Sequence, residues 1–157
     1  ANSAPLFAQD DLQFNIRHTS ACLIEAGNTA QQRQCIGKSA SACIDATPSG
    51  SSTYGMGGCL NFEAEWWDGQ LNVAYRDLMK REKKDDAENA SDGFSAPKKA
   101  PALKDMQRAW IPFRDATCSY EYSQWGGGTG GGPASIACVL RMTAEQTLYL
   151  QSSALEY

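Results

Sequence analysis

The sequence predicts an all-α fold, an antiparallel bundle of about five helices stapled by three disulfides. Three observations carry that expectation. Apolar residues recur every three or four positions, clusters of glycine, proline and serine punctuate the periodic stretches, and six cysteines stand against a single histidine. The 157 residues suit a single domain, residues 1–157, with one modest core.

A first helix is expected from Asp10 to Ala26, where Leu12, Ile16, Thr19, Leu23 and Ile24 keep helical spacing until Gly27-Asn28 supplies a stop. Thr29 and Gln32 have capping-box spacing, and Cys35, Ile36, Ala42, Cys43 and Ile44 continue a second, shorter helix to Thr47-Pro48. Residues 47–58 carry turn chemistry throughout and read as a loop. Cys59 to about Asn89 gives the strongest periodicity, with Leu60, Trp67, Leu71, Ala74, Tyr75 and Leu78 forming one stripe of a long third helix. Its end, Arg81 to Asp86, mixes charges and reads as a solvated helix terminus.

Ser91 to Pro101 is the expected reversal. A fourth helix follows from about Ala102 to Trp125, with Leu103, Met106, Trp110, Phe113, Thr117 and Tyr120 inward. Pro112 lies inside it and predicts a kink near Arg108 to Trp110. The glycine run Gly126 to Gly132, broken by Thr129, reads as a flexible loop. It lacks a Gly-Lys-Ser/Thr ending and a preceding strand, so it is no nucleotide cradle. A last helix is expected from about Ala134 to Ala154 behind Pro133, burying Ile136, Val139, Leu140, Thr143 and Leu150.

The cysteines point to pairing with one another rather than to a metal. Zinc sites draw on Cys-x-x-Cys spacing or several histidines, and the only approach to that here is His18 with Cys22. No metal and no cofactor is expected. Disulfides persist in oxidising compartments, which predicts a periplasmic or secreted protein. The opening Ala-Asn-Ser-Ala-Pro has no basic start or apolar run, so the expectation is that an export signal has been cleaved. No stretch approaches about 20 apolar residues, so no membrane span is expected. With 14 basic and 18 acidic residues the net charge is −4, which disfavours nucleic acid and mildly favours a basic partner.

Sequence alone leaves every pairing of the cysteines open, but geometry ranks them. Cys35 and Cys43 would lie about 12 Å apart along one unbroken helix, beyond the reach of a disulfide. The pairs Cys22–Cys35, Cys43–Cys59 and Cys118–Cys138 each flank a turn or loop and would each staple one helical hairpin. In the chain-entropy account each contributes roughly 3 kcal/mol.

Cys59, then Trp-Asp-Gly-Gln-Leu-Asn-Val-Ala-Tyr from Trp67 to Tyr75, then Gln-Arg-Ala-Trp-Ile-Pro-Phe-Arg-Asp-Ala-Thr-Cys from Gln107 to Cys118, resemble the LprI-like lysozyme-inhibitor domain family. The glycine-rich stretch, Cys138 and Thr143 continue the likeness, which covers about residues 43–150. The resemblance implies a small exported helical domain of the bacterial envelope that inhibits lysozyme. Gln146 stands where the family usually carries an arginine, so one ion pair is expected to be missing. Residues 1–42, with Cys22 and Cys35, form an N-terminal helical extension to the common core.

Two sets of residues are candidates for function. Asp68, Asn72 and Tyr75 share one face of the third helix, and Arg108, Arg114 and Asp115 lie on the fourth. These read better as a structural polar cluster setting helix register than as a site gripping a carboxylate or sugar. The second set belongs to the two stapled loops, Ser49 to Gly58 and Gly126 to Gly132, with Tyr54, Met56, Tyr122, Trp125, Gly127 and Gly128 as binding residues.

Catalysis is not expected. Glu63 and Glu65 stand about 200° apart on a helix and cannot flank one glycosidic bond, which leaves only Glu65 with Asp68 on a solvated face. His18 precedes the matched core and no cysteine is spare for nucleophilic chemistry. The expected function is therefore inhibition or binding of lysozyme or another cell-wall hydrolase. The alternative is a non-enzymatic envelope module that binds another exported protein or a glycan.

Overall fold

A computed structural model describes residues 11–152. Within them lie six helices: α1 (Arg17–Glu25), α2 (Thr29–Cys35), α3 (Lys38–Ala46), α4 (Thr53–Ser91), α5 (Lys99–Ser123) and α6 (Gly131–Ser152). The opening Ala1 to Pro5, the expected helix start at Asp10 and the expected end at Ala154 lie outside the described residues.

α4, α5 and α6 form the bundle, with α5 antiparallel to the other two. α4 and α6 share the largest interface. Trp67 of α4 is 1% exposed and packs with Ala64, Leu140, Ala144 and Leu148, joined by Ala40 of α3; burying such a ring contributes about 3 kcal/mol. A second cluster, Leu71, Ala74, Leu78, Leu103 and Leu150, fills the space between the same three helices further along. α1, α2 and α3 pack around the first half of α4 and the side of α6. The cysteines form the bridges Cys22–Cys35, Cys43–Cys59 and Cys118–Cys138, with Cα separations of 5.7, 5.6 and 5.5 Å.

Several elements depart from the sequence expectation. The first helix begins only at Arg17. Leu12, Phe14 and Ile16 alternate half-buried with exposed Gln13 and Asn15, a period of two that competes with the helical one. The segment is a strap: Phe14 stacks on Phe62 at 5.3 Å, and the Gln13 amide donates to Thr47 Oγ1 at 2.9 Å. Ile24, assigned to the inner stripe, is 85% exposed.

The expected second helix is two. Gly37 adopts φ +87°, a left-handed conformation that turns the chain between α2 and α3. The cap of α2 is Asn28, one residue before the expected Thr29: its Oδ1 accepts the Gln31 amide at 2.9 Å, and Gln31 Oε1 accepts the Gly27 amide at 2.6 Å.

α4 starts at Thr53, inside the expected loop, because Ser52 caps it by accepting the Gly55 amide at 3.0 Å. Gly55 is required by a close approach, since a Cβ there would lie 2.1 Å from Ser49 O.

At the other end of α4 the charged residues do more than face solvent. α5 has Lys98 at its cap position with no side-chain cap of its own. Asp86 supplies it, accepting the Lys99 amide at 2.8 Å and the Ala100 amide at 2.9 Å. These bonds, Ala100 foremost, hold the Asp86 carboxyl below its ordinary value. Lys99 Nζ donates to Asp85 at 3.2 Å, which together with the nearby Glu82 charge raises the ammonium above its usual range.

α5 stays helical through Pro112, but its orientation differs from expectation. Phe113 and Tyr120 point outward, 62% and 66% exposed, while Gln107 and Cys118 turn inward. α6 takes in Gly131 to Pro133, whose proline sits in the first turn, where its missing N–H leaves no helical bond unmade.

Candidate functional site

The two stapled loops meet. The hydroxyls of Thr53, at the start of α4, and Thr129, in the glycine turn, lie 3.4 Å apart. Each element is braced from below by its own disulfide, Cys43–Cys59 and Cys118–Cys138. The glycine run is a folded turn rather than an open loop: the Gly128 amide donates to Trp125 O at 3.1 Å and the Ala134 amide to Gly130 O at 3.1 Å. Gly130 and Gly131 lie under aromatic rings, since a Cβ at Gly130 would come 2.5 Å from Trp125 and one at Gly131 would come 3.0 Å from Tyr122. The glycines thus let two rings fold down over the turn.

Tyr54, Tyr122 and Trp125 are all exposed at this end of the bundle, as are Gly127 and Gly128, whereas Met56 is half-buried. The end also has a distinct charge character. From Ser39 to Tyr75 and from Asp115 to Leu140 the chain contains no lysine or arginine. Asp11 and Asp45 are exposed, and Arg141 is matched by Glu121 at 2.6 Å.

Of the six residues expected to form a polar cluster, the structure joins Arg114 with Asp115. Asp68, Asn72 and Arg108 are exposed and Tyr75 is half-buried; among the described residues no hydrogen bond joins Asp68 or Asn72 to Arg108 or Arg114. α5 is rotated so that Arg114 faces α6 instead: its guanidinium lies 5.0 Å over the Trp110 ring, bonds Asp115 at 3.0 Å and reaches Thr143 Oγ1 at 3.5 Å. A neutral pair also links α5 and α6, with Gln146 Nε2 donating to Gln107 Oε1 at 2.9 Å in a buried setting.

The polar centre that sequence reasoning missed is Glu63. Its carboxylate is fully buried and accepts four hydrogen bonds. Oε1 takes Thr19 Oγ1 at 2.8 Å, the Gly37 amide at 2.9 Å and Trp67 Nε1 at 3.2 Å, while Oε2 takes the Ala40 amide at 2.7 Å. Thr19 and Ser39 brace it with two reciprocal backbone-to-hydroxyl bonds of 2.9 and 3.0 Å. Glu63 thereby caps α3, whose cap residue Gly37 has no side chain. The absence of Ser, Thr, Asn or Asp before α3 and α5 was the available signal that carboxylates from elsewhere must serve them.

Both Glu63 oxygens are committed, and Glu65 is exposed, accepting from Asn61 Nδ2 at 2.9 Å. His18 is exposed on α1. Among the described residues no group of His, Cys, Asp and Glu is placed to hold a metal, and no helix is long and apolar enough to cross a membrane.

Comparison with known proteins places these features in a family. The family model described as lysozyme inhibitor LprI matches residues 43–150, from the bridged Cys43 to the last core leucine. A similar protein from Rhodobacter capsulatus, described as an uncharacterized 17.7 kDa protein in the puhA 5′ region, is 30% identical over 141 residues, covering 87% of this chain and 84% of the relative. No solved structure matches. The match spans α4, α5 and α6 with two of the three disulfides, and on that ground the chain belongs to the lysozyme inhibitor LprI family.

Proposed function

We propose that this chain is an exported, non-enzymatic inhibitor that binds a lysozyme-type cell-wall hydrolase through the aromatic end of its bundle. The observation that carries the surface assignment is the contact of Thr53 with Thr129, which joins two disulfide-braced elements into one face bearing Tyr54, Tyr122 and Trp125. Tyrosine and tryptophan supply large contact area at low conformational cost, and such residues dominate binding energy at protein interfaces. A turn held at its neck by a disulfide loses little freedom on docking.

The charge pattern favours the same partner class. Stretches without lysine or arginine suit a cationic enzyme surface, and ring faces attract its arginines and lysines. Three disulfides fit the periplasm or the medium. The test is lysis of a cell-wall suspension by lysozymes of several classes, with and without equimolar protein. Slowed lysis by at least one class is expected; undiminished lysis by all of them at micromolar protein removes the reading.

A further inference from the structure

In the second half of α4 the acids and the bases point different ways. Glu82, Asp85 and Asp86 turn toward α5: Asp86 accepts the Lys99 and Ala100 amides, and Lys99 Nζ lies 3.2 Å from Asp85 and 3.8 Å from Glu82. Arg76, Lys80, Lys83 and Ala87 are all exposed and fall within an arc of about 60° on the side of the helix opposite the buried Leu78. Between Arg76 and Ala87 no acid lies in that arc. Asp77 sits on its flank, Lys84 holds Glu88 at 3.7 Å, and Asp92 and Lys98 balance within the turn that follows. Among the described residues none of Arg76, Lys80 and Lys83 enters an ion pair. A chain of net charge −4 thus carries an unmatched cationic ridge about 10 Å long.

The ridge leads to an apolar tip. α4 runs about 20 Å past Leu78, its last buried residue, so its end and the turn into α5 project beyond the two core clusters. The turn is fixed rather than loose. Gly93 closes it at φ +78°, with the Phe94 amide donating to Asn89 O at 2.9 Å and the Gly93 amide to Ala90 O at 3.3 Å. In this helix-ending motif the residue at the Phe94 position commonly packs on an apolar side chain one turn back. Here the residues one turn back are Asn89 and Glu88, and Phe94 is 67% exposed. The ring thus adds little to the fold. An aromatic at the tip of a cationic hairpin suits a surface that is anionic outside and apolar just beneath.

We infer that this hairpin docks on a membrane surface rich in anionic phospholipid, with Arg76, Lys80 and Lys83 on the headgroup phosphates and Phe94 entering the acyl boundary. A soluble linear polyanion would satisfy the cations but leave the ring in water, so the tip favours the lipid. The docking surface lies at the opposite end of α4 from Thr53 and the aromatic face, and it does not depend on lysozyme binding.

The experiment is co-sedimentation of the full, oxidised chain with vesicles of phosphatidylcholine alone and of phosphatidylcholine mixed equally with phosphatidylglycerol. Long-chain polyphosphate serves as the soluble comparison. Binding is expected on the anionic vesicles only, and it should be lost in about 0.5 M salt. The triple variant Arg76→Gln, Lys80→Gln, Lys83→Gln should bind about a hundredfold more weakly, at about fivefold per cation. Phe94→Ser should bind about fivefold more weakly, and all four changes are on exposed side chains, so the fold is kept. No binding to the anionic vesicles at about 1 mM lipid, at the weak end of specific affinities, overturns the inference. So does equal binding to both vesicle types, or anionic binding that both variants keep at full strength. A chain that binds polyphosphate but not the anionic vesicles is reading a soluble polyanion, and the inference fails.

Discussion

Glu63 Oε2 accepts the amide of Ala40 at 2.7 Å, so a residue of the family core caps a helix that begins before the family match. The same carboxylate takes Gly37, Thr19 and Trp67, and of its four donor residues Ala40, Thr19 and Trp67 are buried. Residues from α1, α3 and α4 are thereby tied at one buried point.

Replacing Glu63 with alanine should leave these donors unsatisfied and cost about 3 kcal/mol or more. Glu63→Gln keeps the volume but puts an N–H₂ where only donors point, and should cost less, on the order of 2 kcal/mol. Chemical denaturation of the three proteins checks the order. Equal stability of wild type and Glu63→Ala would mean that the carboxylate is not what holds α3 in place.

The bridge Cys118–Cys138 closes 20 residues around the glycine turn. The double variant Cys118→Ser, Cys138→Ser should unfold with about 3 kcal/mol less stability in the chain-entropy account. Protection of the Gly128 and Ala134 amides from hydrogen exchange should fall with it, because their turn bonds rest on that neck.

Asp86 gives a pH signature. Its folded carboxyl lies below the ordinary 3.8 because it accepts the Ala100 and Lys99 amides. The stability it confers is fully present above the unfolded value and is lost as pH falls from 3.8 through the folded one. The stability gap between wild type and Asp86→Ala should therefore be constant at neutral pH and close in acid below that value. A gap that persists unchanged into strong acid would show that the cap does not depend on the charge.

Much of the bundle was legible in the sequence. The stripe Trp67, Leu71, Ala74, Leu78 is long enough for its helical period to be unambiguous, and hairpin geometry favoured the three cysteine pairs that the structure closes. What escaped is where local pattern and tertiary demand compete. Leu12, Phe14 and Ile16 satisfy two periods at once, and contact with Phe62 and Thr47 decides for the strap. Phe113 and Tyr120 are apolar but face outward, because the inner side of α5 is taken by Gln107, whose amide pairs across to Gln146. Glu63 looked like any acid beside tryptophans, since its partners Thr19, Gly37 and Ala40 come from up to 44 residues away and no spacing rule reaches that far.

The aromatic end was legible as two separate loops and not as one face, since nothing in the sequence places Thr53 beside Thr129. The direct measurement is inhibition of lysozyme-driven lysis by the wild-type chain, by Tyr122→Ala with Trp125→Ala, and by Phe113→Ala as an exposed aromatic elsewhere on α5. The account predicts that the double variant needs about thirtyfold more protein for equal inhibition, equivalent to about 2 kcal/mol, while Phe113→Ala matches wild type. A double variant as potent as wild type would contradict the assignment of this face.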